Sequence, residues 1–236
     1  MKSLIKALEE LNISYDDRMI YKFTRYMELI LDWNKKINLT TIIDKDEFVM
    51  RHYIDSLACC GFYQMQNAEK IIDVGTGAGF PGIPLAIVYP DKEFVLMDSI
   101  NKKIRIIDEI SKELEINNVR FCHGRAEDLA KEKAHREQYD LCASRAVASL
   151  AVLSEYCIPF VKVGGWFVAY KSGGTEEEIK NSIKAIEILG GKIEAKESIQ
   201  MYGFNLDHEI IFINKIKKTL AKYPRKAGTP GKQPLK

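Results

Sequence analysis

The chain has 236 residues, 46% hydrophobic and 29% charged, with a formal net charge of +2. These values exclude a disordered or fibrous chain, and the length supports a buried core without disulfides or a structural metal. At roughly 150 residues per domain, it fits one large domain or one domain plus an extension.

No apolar run is long enough to cross a bilayer. The N-terminal segment meets Glu9 and Glu10 early and lacks a continuous apolar stretch of leader type. Cys59, Cys60, Cys122, Cys142 and Cys157 are odd in number and irregular in spacing. They read as free thiols of a cytoplasmic protein.

Residues 1–66 read as a helical extension. Ile20, Phe23, Met27, Ile30 and Leu31 share one face of a 3.6-residue repeat, and a second apolar set runs from Phe48 to Cys60. From residue 67 to 214 strands and helices alternate. Strands are expected at Lys70–Val74, Phe94–Asp98, Val119–Cys122, Tyr139–Ala143 and Gly165–Tyr170. Helices are expected over Pro81–Tyr89, around Ile104 to Leu114, and over Leu150–Phe160. Thr175 with Glu178 reads as a capping box opening a helix to Leu189, with Ile179, Ile183 and Ile186 as its apolar stripe and Gly190-Gly191 as its stop.

Two further strands, near Ile193–Ile199 and Glu209–Ile213, are joined by a loop around Met201–Asp207, which predicts an antiparallel pair. The alternation predicts an α/β fold with a parallel sheet covered by helices on both faces. The segment 215–236 is a basic tail. It holds Lys215, Lys217, Lys218, Lys222, Arg225, Lys226, Lys232 and Lys236 and no acid, which suggests a polyanionic partner or a solvated end.

The motif Asp73-Val74-Gly75-Thr76-Gly77-Ala78-Gly79 follows the first strand and precedes a helix, the context of a nucleotide-binding glycine loop. Asp98, at the end of the second strand, is placed to bind both hydroxyls of a ribose. Gly77-Ala78-Gly79-Phe80-Pro81-Gly82 also fits the pattern of NAD proteins, so the short match is ambiguous. An acid beside the loop favours a cationic ligand and repels a pyrophosphate. The wider pattern and the antiparallel final strands resemble class I S-adenosylmethionine methyltransferases, whose Rossmann-like seven-stranded sheet has its last strand antiparallel. Asp73, Gly75, Gly77 and Gly79 are then expected at the cofactor.

Ser144-Arg145-Ala146-Val147 stands where adenine amino-methylases carry an Asn/Asp-Pro-Pro-aromatic turn, so that class is disfavoured. Cys142 lies within a strand and reads as a core thiol rather than a nucleophile. Further motifs are Trp33-Asn34-Lys35-Lys36-Ile37-Asn38-Leu39-Thr40, Arg51-His52-Tyr53-Ile54-Asp55-Ser56-Leu57, Gly124-Arg125-Ala126-Glu127 and Tyr223-Pro224-Arg225-Lys226-Ala227-Gly228-Thr229-Pro230. Together with the glycine loop they resemble the family of 16S ribosomal RNA guanine-N7 methyltransferases called methyltransferase G, or glucose-inhibited division protein B, over nearly the whole chain.

The resemblance implies methylation of a guanine in a loop of small-subunit ribosomal RNA near the decoding region, with S-adenosyl-L-methionine as cofactor. It carries over Gly75, Phe80, Asp98, Ser99, Ile100, Ala126, Glu127 and Arg145 as cofactor contacts. Guanine N7 has an in-plane lone pair and no proton, so no general base, triad or metal is expected. No catalytic side chain is assigned. Arg145, His52 and Asp55 are acceptor-site candidates, the last two on one helical face.

Asn34, Lys35, Lys36, Lys171, Arg225 and Lys226 are candidate contacts to RNA, each with a structural alternative. His123, His135 and His208 read as structural or surface residues. The expected partner is 16S ribosomal RNA or the small ribosomal subunit, with no membrane, and the chain is expected to act as a monomer. The alternative is a methyltransferase for a small-molecule acceptor, which would share the loop and dispense with the basic tail. An NAD oxidoreductase and a non-catalytic RNA-binding protein are weaker alternatives.

Overall fold

The computed structural model describes residues 1–145, 148–201 and 204–236, with side chains left undescribed at 200, 201 and 204–207. The helical extension comprises α1 (Lys2–Glu10), α2 (Asp17–Asn34), α3 (Lys45–Phe48), a π-helical stretch (Val49–Ile54), α4 (Asp55–Leu57) and α5 (Tyr63–Gln66). Asp16 caps α2 by accepting from Met19 N at 2.7 Å. The buried face of α2 is Phe23, Tyr26, Met27 and Ile30, while Ile20 and Leu31 sit at its margin.

The strands are β1 (Lys70–Val74), β2 (Glu93–Asp98), β3 (Val119–His123), β4 (Tyr139–Arg145), β5 (Val161–Ser172), β6 (Gly191–Met201) and β7 (Phe204–Lys215). The remaining helices are α6 (Gly82–Val88), α7 (Asn101–Glu113), α8 (Ala126–Leu129), α9 (Leu150–Cys157), α10 (Glu176–Leu189) and α11 (Thr229–Lys232). One seven-stranded sheet has the order β3-β2-β1-β4-β5-β7-β6. Strands β1 to β5 pair in parallel, and β7 runs antiparallel to both β5 and β6. This is the class I methyltransferase arrangement expected from the motifs.

Alternate residues of each strand enter opposite cores, as the two-residue period of a strand requires. Ile71, Phe94, Leu96, Leu141, Ala143, Val168 and Phe212 join the N-terminal helices, α6 and α7. Ile72, Val95, Met97, Cys142, Phe167, Ala169 and Ile213 join α9 and α10 on the other face. The extension therefore shares a core with the sheet. Cys59, Cys60, Cys142 and Cys157 are buried free thiols.

Two local expectations are corrected. The loop expected over 201–207 is largely strand, because β6 and β7 continue past it, with bulges between Ile193 and Ala195 and between Ser198 and Gln200. Residues 202 and 203 of that loop lie outside the described residues, as do Ala146 and Val147 of the Ser144-Arg145 motif.

The Thr175–Glu178 capping box does not form either. Thr175 Oγ1 and N both donate to the Glu209 carboxylate, and Glu178 Oε1 accepts from Leu150 N at 2.6 Å and Lys171 Nζ at 2.7 Å. Ile183 of the expected stripe is 46% exposed, and Ser182, Ala185, Ile186 and Leu189 form the buried face. Gly190 ends α10 with φ 94°, as expected of a helix-stop glycine.

Candidate active site

The strand order reverses between β1 and β4, and the crevice beyond the carboxyl ends of such strands is where open α/β sheets bind ligands. Beyond β1, Gly75, Gly77 and Gly79 adopt φ values of 76°, 59° and 87°, which favour glycine. Gly75 N and Thr76 N both donate to Met97 O at 3.0 Å, folding the loop over the end of β2.

Asp73 is completely buried beneath this loop. Its Oδ2 accepts from Thr76 Oγ1 at 2.7 Å and Gly82 N at 2.9 Å, while Oδ1 has no partner among the described residues. Burial pushes its carboxyl up to about 6, against the opposing pull of the Thr76 and Gly82 bonds and the Arg145 guanidinium. Asp73 thus shapes the loop from below through Oδ2.

The second and third glycines of the loop differ in role. A Cβ at Gly77 would meet only Gly75 O, at 4.0 Å, so this backbone is open to a ligand. A Cβ at Gly79 would fall 2.2 Å from Tyr26 Oη and 2.7 Å from Ile83 Cγ1. Tyr26 Oη donates to Ala78 O at 2.7 Å, so α2 supports the loop directly.

Asp98 closes the adjacent side. Its Oδ2 accepts from Gly77 N at 2.9 Å and its Oδ1 from Ile100 N at 2.8 Å. Each oxygen keeps a further lone pair for a hydroxyl donor. Gly124 N donates to Asp98 O at 3.1 Å and His123 Nε2 to Ser99 O at 3.2 Å, which ties the start of α8, with Ala126 and Glu127, to the same rim.

A second group of side chains forms a cleft of about 340 Å³ beside the loop, lined by Arg51, His52, Asp55, Arg145, Lys171 and His208 among others. Arg145 Nη1 donates to Asp55 Oδ2 at 2.6 Å and to Arg51 O at 3.0 Å. His208 Nδ1 bonds to Asp55 Oδ1 at 2.6 Å. Burial pushes the Asp55 carboxyl up, but His208 and Arg145 outweigh it and hold the group below the usual carboxylate range.

His52 lies stacked on Phe80, with ring centroids 4.3 Å apart, and Arg145 covers the same Phe80 ring. Burial, reinforced by Arg145, lowers His52 to about 3, so the imidazole is neutral. Its Nδ1 faces Arg145 Nη2 at 3.3 Å and must accept; Nε2 then carries the proton and donates to Thr40 Oγ1 at 2.8 Å. The three acceptor-site candidates Arg145, His52 and Asp55 are thus brought together, with Phe80 beneath them.

The family model for rRNA small subunit methyltransferase G matches residues 19–202. The chain belongs to the rRNA small subunit methyltransferase G family. It is 46% identical over 236 residues to the ribosomal RNA small subunit methyltransferase G of Alkaliphilus metalliredigens, covering 100% of this chain and 99% of that one. Its fold resembles the Methanococcus jannaschii fibrillarin pre-rRNA processing protein, with TM-score 0.52 and 19% identity over 65% of this chain and 70% of that one. It also resembles M. jannaschii TYW2 in complex with AdoMet, with TM-score 0.51 and 19% identity over 63% and 69% of the two chains. The chain is therefore a methyltransferase that acts on ribosomal RNA.

The expected RNA-contact residues of this methyltransferase are placed unevenly. Asn34 turns inward: its Oδ1 accepts from Leu39 N at 2.8 Å and Thr40 N at 3.0 Å, and its Nδ2 donates to Thr40 O. It thereby fixes Thr40 against His52. Lys171 is 14% exposed and bonded to Glu178 and to Ala148 O. Arg225 is bonded to the fully buried Glu155, which removes it from the free cations of the tail. Lys35 pairs with Asp32, Lys36 lies over Trp33, and Lys226 is exposed.

Sequence reasoning missed His208 as a cleft residue and Thr40 as the hydrogen-bond partner of His52. Thr40 closes the Trp33–Thr40 motif, whose one identifiable signal was the motif itself. His208 reaches Asp55 across 153 positions and left no local signal. No helix among the described residues is long and apolar enough to cross a membrane.

Proposed function

We propose that this methyltransferase uses S-adenosylmethionine to methylate N7 of a guanine in a loop of 16S ribosomal RNA near the decoding region. The residues of the rim fit that donor. Asp98 keeps lone pairs for the ribose hydroxyls, and Gly75 and Gly77 offer accessible backbone to the amino-acid portion. Ala126 and Glu127 flank the adenine, and Arg145 stands at the edge. The buried negative charge of Asp73 and Asp98 favours a cationic donor over a pyrophosphate. When bound, S-adenosylmethionine supplies an electrophilic methyl group.

The observation that carries the N7 reading is the mutual engagement of the cleft's acids and bases. Both Asp55 oxygens and both His52 nitrogens are hydrogen-bonded within the cluster. Such a cleft offers fixed charge and shape rather than a poised proton acceptor. That suits a nucleophile with a free lone pair and no proton. A methyl group supplied by a donor held at Asp98, Gly75 and Gly77 would pass to the N7 lone pair with the C–S electron pair left on sulfur, so no residue of the cleft would have to accept a proton. The protein's work is then to hold the base in line at near-attack distance, in a site dry enough to strengthen its fixed charges. A base in an RNA loop is splayed into a pocket at modest cost.

The test supplies methyl-labelled S-adenosylmethionine and small subunits from cells lacking the modification, followed by digestion of the RNA. Label in 7-methylguanosine, lost with Arg145→Ala, is the expected result. Label in another nucleoside would overturn the N7 assignment.

A further inference from the structure

We infer that the C-terminal segment 216–236 is a strap that builds the methyl-donor site by holding Glu127. The inference rests on the S-adenosylmethionine reading of the rim. By composition this segment is a basic tail, yet its bonds run inward. Arg136 donates to Thr219 O at 2.8 Å, Leu220 O at 3.2 Å and Tyr223 O at 2.9 Å. Thr219 Oγ1 donates to Leu189 O at 2.6 Å. Arg225 donates to both oxygens of Glu155, from Nε and Nη2, and its backbone N–H reaches the same carboxylate at 2.8 Å.

These anchors carry the chain to Gly228, whose N–H donates to Glu127 Oε1 at 2.8 Å. Glu127 is only 5% exposed, and among the described residues Gly228 is the donor that reaches its carboxylate. A buried carboxylate needs such a donor to keep one orientation. Gly228 has φ 81°, a conformation that L side chains rarely adopt, and the turn it makes aims the N–H inward.

Downstream, Pro230 is buried and Gly231 lies beside Tyr156, so the strap is fixed on both sides of the contact. Glu127 in turn sits on the rim tied to Asp98 through Gly124. The strap acts on the donor through Glu127, so Gly228 is a positioning residue.

The test compares the full chain with Gly228→Val, which strains the turn and leaves every lysine and arginine in place. S-adenosylmethionine affinity is measured by calorimetry, together with KM for the donor, kcat on small subunits, and RNA affinity against salt. The expected result is a rise of about tenfold in donor Kd and KM, with kcat at saturating donor and RNA affinity unchanged; tenfold corresponds to about 1.4 kcal/mol. In a Glu127→Gln background the same substitution should have little further effect.

If valine disturbs folding, a chain ending at Lys226 keeps the Arg225 anchor and removes the same contact. An unchanged donor Kd in the folded variant overturns the inference while leaving the donor reading intact. A loss of RNA affinity alone does the same and makes the segment an RNA arm. Failure of the full chain to bind S-adenosylmethionine overturns the donor reading, and the inference with it.

Discussion

Arg225→Ala separates two meanings of a basic residue. The Glu155 side chain is fully buried, and the Arg225 side chain is 24% exposed. Removing the guanidinium takes away bonds of 2.6 to 3.2 Å and leaves the carboxylate one backbone donor, Arg225 N. Breaking a buried pair from one side costs about 3–5 kcal/mol, because a charge stays buried without its partner. The retained backbone bond sets the expectation at the low end, about 3 kcal/mol. For a chain of this length that lowers Tm by about 6–12 °C.

Adding Glu155→Gln to Arg225→Ala should recover much of the loss, since a neutral amide costs less to bury than an unpaired carboxylate. Urea unfolding of the single and double variants measures both effects. A phosphate contact behaves otherwise: its loss leaves stability unchanged and reduces the salt slope of RNA binding by about one. Native stability in Arg225→Ala with a smaller salt slope would refute the internal role.

Gly79→Ala should destabilise strongly, by more than about 2 kcal/mol, because its Cβ meets Tyr26 and Ile83 at a positive φ; Gly77→Ala carries the cost of its positive φ alone, about 1–2 kcal/mol, and should also weaken donor binding, since its Cβ points into the open space beside the loop. Equal unfolding free energies for the two variants would contradict this. Asp73 is raised to about 6, so the folded chain holds its proton more tightly than the unfolded chain. The stability it contributes is present below about pH 4 and lost as pH rises through 6, about 3 kcal/mol in all, and the unfolding curve of Asp73→Asn against pH should lack that slope. Parallel curves would remove Asp73 as the titrating group. Thr40→Val leaves His52 Nε2–H without its acceptor and should lower kcat about tenfold with donor KM unchanged. A change in donor KM alone would place Thr40 on the donor side.

The sheet was legible because its signals are local. β1 is a short strand whose apolar residues Ile71, Ile72 and Val74 run into the glycine loop, and its alternate residues enter two cores whatever the distant chain does. The glycine loop and Asp98 were legible for the same reason: a left-handed turn leaves glycines, and a strand end leaves an acid. What failed were patterns whose atoms had better partners elsewhere. Thr175 and Glu178 fit a capping box in sequence, but Glu209 on β7 reaches Thr175, and Glu178 bonds to Leu150 N and Lys171 instead.

The cleft is the extreme case. Asp55 gathers Arg145 and His208 from 90 and 153 positions away, and no spacing rule contains such pairs. The tail shows why charge counts mislead in the same way: a cation's formal charge is a property of its sequence position, but its availability depends on the nearest buried acid. For Arg225 that acid is Glu155, 70 positions away in sequence, and the pairing directs the guanidinium inward, where composition alone had counted it among the free charges of a basic tail.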